Sequence, residues 1–309
     1  MAFIAYPSIY NLVDFDFVQR ILRESIKTGD REWIVLEKCH GCNIQILVTP
    51  DGIRLGSRSQ YIDDFKGVLK MLAEEMEPAL RRIVEKLGTE SLRFYGELYS
   101  GCKKIVGKQI PYCKDVKIGI FDVLKPDGSF VSWDTLTLLL KQEDLHYFPE
   151  LARGSLKDML LYAADHAADP TTLSDGHTKE VPIREGVVIK SVEPFILSNG
   201  SRAILKHKSP AHTETKVKLS PDQLHSWMDL LTLVRDLVND NRVASLLSKH
   251  VEPKEVSMGD LITEFRADVL KDLLPQVPES LMKYVETELL GKIDGMAAYL
   301  IKEGLAEIE

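Results

Sequence analysis

The chain has 309 residues, 44% of them hydrophobic and 28% charged, with a net charge of −8 at pH 7; these values suit a globular protein long enough for two domains. The acidic balance argues against a protein that coats nucleic acid nonspecifically, and no apolar run approaches the roughly 20 residues that cross a bilayer. Cys39, Cys42, Cys102 and Cys113 are too few for a disulfide scaffold, and the first residues lack the basic start and cleavage site of a secretion signal, so a cytoplasmic setting away from membranes is expected.

In chain order, residues 33–59 (WIVLEKCHGCNIQILVTPDGIRLGSRS) read as strand, tight connection, strand, turn and strand, with Pro50-Asp51-Gly52 as the turn. Helical spacing takes over in residues 63–88 and ends on Gly88. Strand character returns in SLRFYGELYS, VKIGIFDVL, EGVVIKSVEPFILS and SRAILKHK. Asn199-Gly200 is a two-residue hairpin signal, and Pro194 predicts an imperfect ladder behind it. After Ser220-Pro221 the chain turns to Leu-rich helical periodicity. The fold class is therefore α+β, with residues 1–218 followed by a small all-α domain over 219–309.

The charge divides at the same place. From Leu219 onward there are 9 basic and 17 acidic residues, so the part before it is neutral and the whole acidic excess lies in the helices.

Glu37-Lys38-Cys39-His40-Gly41-Cys42-Asn43 sets a lysine between two apolar runs, three residues before a glycine that permits a sharp turn. Alone, that pattern describes an ordinary exposed turn lysine. It heads an ordered series, however: Phe94-Tyr95-Gly96-Glu97-Leu98, Gly119-Ile120-Phe121-Asp122, Glu185-Gly186-Val187-Val188-Ile189-Lys190 and Leu205-Lys206-His207-Lys208. In these motifs the chain resembles the covalent nucleotidyltransferase superfamily, and His40-Gly41-Cys42-Asn43 is similar to the bacteriophage-type RNA ligase 2 family. DNA ligases and capping enzymes normally carry Asp-Gly after the lysine. The resemblance spans Glu37 to Lys208 and implies an antiparallel-sheet, ligase-type nucleotidyltransferase domain.

It further implies that Lys38 attacks the α-phosphorus of ATP, forming lysyl-AMP and releasing pyrophosphate. Only a neutral amine can attack, so nearby cations and partial desolvation would have to favour that form. Lys206 and Lys208 lie two apart on an expected strand, on one face, where both can grip phosphates, while His207 points the other way. The resemblance assigns Glu185 to a divalent cation, Mg²⁺ or Mn²⁺, and Glu97 to the ribose. Phe121, which by itself reads as core, would stack on adenine. Arg58, twenty residues after Lys38, is preferred by spacing to Arg54 for the ribose and reacting phosphate. Glu37, His40, Asn43 and Lys190 complete the expected nucleotide site. Cys39-x-x-Cys42 also raises zinc, disfavoured because a closed zinc site would draw in the loop that presents Lys38.

The activity implied is an ATP-dependent RNA ligase, a monomer sealing RNA with 3′-OH and 5′-phosphate ends, with nicked duplex as the expected form and the helical domain engaging the end or nick. The rivals are an ATP-dependent DNA ligase, a capping-type nucleotidyltransferase, and a catalytically silent RNA-binding version of the fold. Retention of Lys38, Glu97, Glu185, Lys206 and Lys208 together speaks against the last.

Overall fold

Short apolar runs separated by turn residues form two sheets in the computed structural model, which describes residues 2–29, 31–62, 67–100, 110–212, 226, 229–230, 233–234, 236–250 and 252–307. The strands are β1 (Tyr10–Asn11), β2 (Trp33–Lys38), β3 (Cys42–Thr49), β4 (Gly52–Gly56), β5 (Leu92–Tyr99), β6 (Lys117–Leu124), β7 (Glu150–Gly154), β8 (Gly186–Ser191) and β9 (Ile204–Lys208). The helices are α1 (Phe15–Thr28), α2 (Gly67–Lys86), α3 (Trp133–Gln142), α4 (Leu156–His166), α5 (Asp240–Leu247), α6 (Met258–Leu273), α7 (Glu279–Tyr284) and α8 (Leu290–Glu307). One sheet runs β1-β9-β8-β2-β7 and the other β4-β3-β5-β6. Every pairing is antiparallel except β1 with β9.

β2 and β3 are neighbours in sequence but belong to different sheets. The chain crosses between them at Cys39-His40-Gly41, so Lys38 stands where the two sheets meet. Gly41 is demanded by close approach: a Cβ there would lie 2.3 Å from the Leu98 carbonyl oxygen. Below the crossing, Ile34 and Leu36 of β2 pack with Ile46 and Val48 of β3, Phe94 of β5 and Val123 of β6. Helix α2 closes that core with Ala73, Leu80 and Ile83, spaced to share one face. Full burial of each aliphatic side chain is worth about 1.5–3 kcal/mol. Gly88, at φ 60°, ends the helical run as the sequence predicts.

The chain turns at Asn199-Gly200, but over three residues, Ser198-Asn199-Gly200, rather than the expected two: Gly200 N–H donates to Leu197 O, Leu197 N–H donates to Ser201 O, and Gly200 alone takes a positive φ, 80°. Behind it only one bridge, Ile196 with Arg202, precedes the β8–β9 ladder; Pro194 can donate no ladder hydrogen bond.

The chain divides into two compact units, Met1–Asp14 with Glu24–Lys218, and Phe15–Arg23 with Leu219–Glu309. The helical unit thus includes nine residues of α1 that the sequence places in 1–218. Phe17, Val18 and Ile21 of that segment are buried. The junction at 218/219, the helix start at Ser220-Pro221 and Cys102 lie outside the described residues. From Asp240 on, the described elements are helical. Side chains Asn239 and Ser257 cap α5 and α6, and Leu261, Phe265, Val269 and Leu273 form the buried stripe of α6. Among the described residues, no helix is long and apolar enough to cross a membrane.

Candidate active site

Strand register brings the motifs together. Lys38 pairs with Gly186, and Gly186 in turn with Lys208, so Lys38, Glu185-Gly186 and Lys208 form one row across β2, β8 and β9. In the other sheet Asn43 pairs with Glu97 and Glu97 with Gly119. Gly186 cannot be larger, since a Cβ would sit 2.1 Å from His207 O. Between the two rows lies a cleft with about 620 Å³ of empty space, partly open to solvent. Glu37, Lys38, Asn43, Glu97, Phe121 and Lys190 are among its walls.

Glu185 is the hub of the rim. Its Oε2 accepts from Lys38 Nζ at 2.7 Å, its Oε1 lies 3.2 Å from Lys208 Nζ, and His40 Nδ1 is 3.6 Å from Oε2. Burial pushes the Glu185 carboxyl up, but Lys38 and Lys208 outweigh it and hold it below its ordinary range. Burial lowers the Lys206 ammonium, and the charges of Lys38, Lys208 and Arg58 lower it further. His40 Nε2 is buried without a hydrogen-bond partner among the described residues, while its backbone N–H donates to Tyr112 Oη at 2.8 Å. Tyr112 therefore pins the loop that carries Lys38. Arg58 is exposed, yet its charge acts on both Glu97 and Lys206. Its competitor Arg54 lies over the Tyr61 ring, 3.9 Å from the centroid.

Burial raises Glu97 to about 7, with Glu185 adding to the rise and Lys38, a Gly41 N–H bond and Arg58 opposing it. Between the ordinary carboxylate range and pH 7 the unfolded chain has released a proton that the folded chain keeps, so this group makes stability fall as pH rises through that window. Glu97→Gln is therefore expected to raise the unfolding temperature more at pH 8 than at pH 5. Calorimetry at the two pH values checks it; an equal shift at both would contradict the assignment of the burial cost.

Beneath the cleft Lys190 and Asp122, both within the quoted motifs, join Arg202 and Tyr6, which the sequence does not single out. Arg202 donates to both oxygens of Asp122 at 2.8 and 2.9 Å, Lys190 Nζ donates to Asp122 Oδ1 at 3.0 Å, and Tyr6 Oη donates to Oδ2. Lys190 Nζ also donates to Phe121 O at 2.7 Å and lies 4.6 Å from the Trp133 ring centre. Burial favours the neutral acid at Asp122, but Arg202 and Lys190 override it and lower its pKa; burial brings Lys190 down to about 8. Lys190 is thus buried in an ion cluster that supports the Phe121 strand. Phe121 itself is half-buried, its ring edge-on to Tyr6 with centroids 5.0 Å apart. It is neither a plain core residue nor a surface one.

The donors suit oxygen-seeking ions better than zinc. Burial raises the pKa of the Cys39 and Cys42 thiols. No group of three or more His, Cys, Asp or Glu that could hold a metal occurs among the described residues. A single carboxylate such as Glu185 fits a cation that completes its shell with phosphate oxygens and water.

The sequence profile of the RNA ligase family matches residues 31–208, more than half of the chain. The chain belongs to the RNA ligase family. Solved structures similar to it include a Naegleria gruberi RNA ligase with PPi, at 16% identity and TM-score 0.48, covering 69% of this chain and 58% of that one. A mutant of the Naegleria gruberi RNA ligase with AMP and Mn matches at 16% identity and TM-score 0.49 over the same shares, 69% and 58%. The chain spans 58% of the length of these two solved chains. The family match takes in every strand from β2 to β9, and all the expected site residues fall inside it.

Sequence reading gave no role to Asp122, Arg202, Tyr6 and Tyr112. Asp122 carried a signal, since a lone aspartate after an apolar strand run needs buried cations. Arg202 lies in the SRAILKHK strand run, but its partner is 80 residues away; Tyr6 and Tyr112 lie in segments without a spacing pattern.

Proposed function

We propose that this member of the RNA ligase family is an ATP-dependent RNA ligase of the RNA ligase 2 type, charged with AMP on Lys38. The supporting observation is the row of Lys38, Glu185 and Lys208 at the rim of a cleft walled by Glu37, Glu97 and Phe121. Adenine would stack on Phe121, with the ribose toward Glu97 and Asn43 and the phosphates toward Lys206, Lys208 and Arg58. His40 would join the phosphate side through its unpartnered Nε2. Lys190 would act from below by holding the Phe121 strand.

An ammonium has no lone pair, so Lys38 must give up a proton to solvent and leave Glu185 before attack, and its nitrogen sheds a second proton to solvent as the bond to phosphorus forms. The lone pair of Lys38 Nζ then bonds to the α-phosphorus, the bond to the β-phosphate breaks, and pyrophosphate leaves. AMP passes to the 5′-phosphate of the broken strand, and the 3′-OH attacks that phosphate and expels AMP. A divalent cation, Mg²⁺ or Mn²⁺, held by Glu185 supplies neutralisation of phosphate charge when bound. Positioning and electrostatics dominate in such transfers.

The substrate is RNA with 3′-OH and 5′-phosphate ends, with nicked duplex as the preferred form and a cytoplasmic monomer as the acting species. The helical unit over 219–309 would engage the end or nick. Of its nine basic residues Arg242 is already engaged, bonding Asp268 at 2.9 Å and Asp272 at 2.6 Å.

Incubation with labelled ATP, GTP and NAD and Mg²⁺, followed by denaturing electrophoresis, tests the proposal. Covalent label from ATP is expected; label from GTP or NAD alone, or from none, overturns it. The stacking role has its own test. Phe121→Leu is expected to raise the KM for ATP about tenfold while Phe121→Tyr and Phe121→Trp keep it within about threefold, because a base needs a flat face. Full adenylylation by Phe121→Leu would make Phe121 a packing residue.

A further inference from the structure

The carboxylate of Glu37 is 3% exposed, lines the cleft, and makes no ion pair among the described residues. Its hydrogen bonds come from one dipeptide. The Thr171 hydroxyl donates to Oε1, while Thr172 donates to Oε2 twice, from its backbone N–H at 2.8 Å and its hydroxyl at 2.7 Å. The dipeptide is itself held in place. Thr171 N–H donates to Pro182 O at 2.8 Å, and Leu173 N–H donates to Thr171 Oγ1 at 3.1 Å. With Leu173 on an acceptor position of that hydroxyl, its hydrogen remains for Glu37.

A carboxylate offers about four lone-pair directions. Two donors fill those of Oε2 and one donor takes one at Oε1, which leaves a single acceptor direction and no donor. We infer that Thr171 and Thr172 are positioning residues that fix Glu37 as an acceptor for the exocyclic amine of a 6-aminopurine, and so help decide which base the cleft takes. This rests on the reading of the cleft as the nucleotide site. A 6-oxopurine would turn a carbonyl oxygen against the same lone pair, and a site built around one hydrogen bond rejects an analogue that cannot make it.

Glu37→Gln has a defined consequence. The Thr172 backbone N–H cannot turn into an acceptor, so the amide oxygen must take the Oε2 place and the amide nitrogen the Oε1 place. There it meets Thr171 Oγ1, which can accept, and presents an N–H where Glu37 presents a lone pair.

The test is kcat/KM for covalent labelling of the full chain with ATP and with inosine triphosphate, its 6-oxo analogue. Thr171→Val and Thr172→Val are each expected to lower the ATP-to-inosine preference about tenfold, mainly through KM for ATP, and Thr171→Ser and Thr172→Ser to restore it. Glu37→Gln should move the preference toward inosine triphosphate, and this arm carries the test alone if the valine variants fail to fold. An unchanged preference in folded valine variants, or an undiminished ATP preference in Glu37→Gln, overturns the inference alone. Absence of label from either nucleotide in the unmodified chain overturns the ligase reading, and this inference with it.

Discussion

Lys38→Ala is expected to eliminate the covalent AMP adduct while leaving the joining of strands that already carry a 5′-AMP. Only the first transfer uses the amine as nucleophile. Lys206 and Lys208 are two strands away from β2 and are fixed there by pairing with Val188 and Gly186. The substitution also strips Glu185 of its 2.7 Å partner and leaves it with Lys208. Labelling with ATP and sealing of pre-adenylylated RNA, run on the same preparation, separate the steps. Persistent label in Lys38→Ala would mean that another residue is the nucleophile.

The largest stability loss is expected from Asp122→Asn. Among the described residues Asp122 is the sole carboxylate that pairs with Lys190 and Arg202, all three being at most 4% exposed. Removing its charge leaves two buried cations uncompensated, a loss of about 3–5 kcal/mol for breaking a buried ionic group. Asparagine keeps the shape, so a cavity cannot account for such an effect. Lys190 also holds the backbone of Phe121 through its carbonyl, so adenylylation should fall with stability. Urea unfolding measures the first effect; a loss under about 1 kcal/mol would show that the cluster is solvated or rearranges.

The sequence revealed local periodicity more readily than partnership. The apolar runs at Trp33–Lys38 and Cys42–Thr49 are both strands, and Gly88 and Gly200 turn the chain where expected. That β2 and β3 lie in separate sheets was not legible, because a three-residue connection ordinarily joins a hairpin and only the close approach of Gly41 to Leu98 shows the crossing. Nor was the parallel pairing of Tyr10–Asn11 with Leu205–Lys206, two residues being too short for a pattern. Lys206 and Lys208 were legible by alternation, since a strand carries them on one face. Lys190 obeys the same alternation yet is buried with Asp122 and Arg202, a pairing across 68 and 80 residues that no local pattern encodes. Thr171 and Thr172 were invisible for a related reason: their role lies in hydrogen bonds to Glu37 across more than 130 residues.

In the proposed reaction Lys38 becomes covalently charged with AMP. Incubating the full chain with ATP and a divalent cation, then mapping modified peptides by mass spectrometry, tests it directly. An AMP adduct on the peptide containing Lys38, lost on adding pyrophosphate, is the result expected. No adduct, or an adduct confined to another lysine, would contradict it.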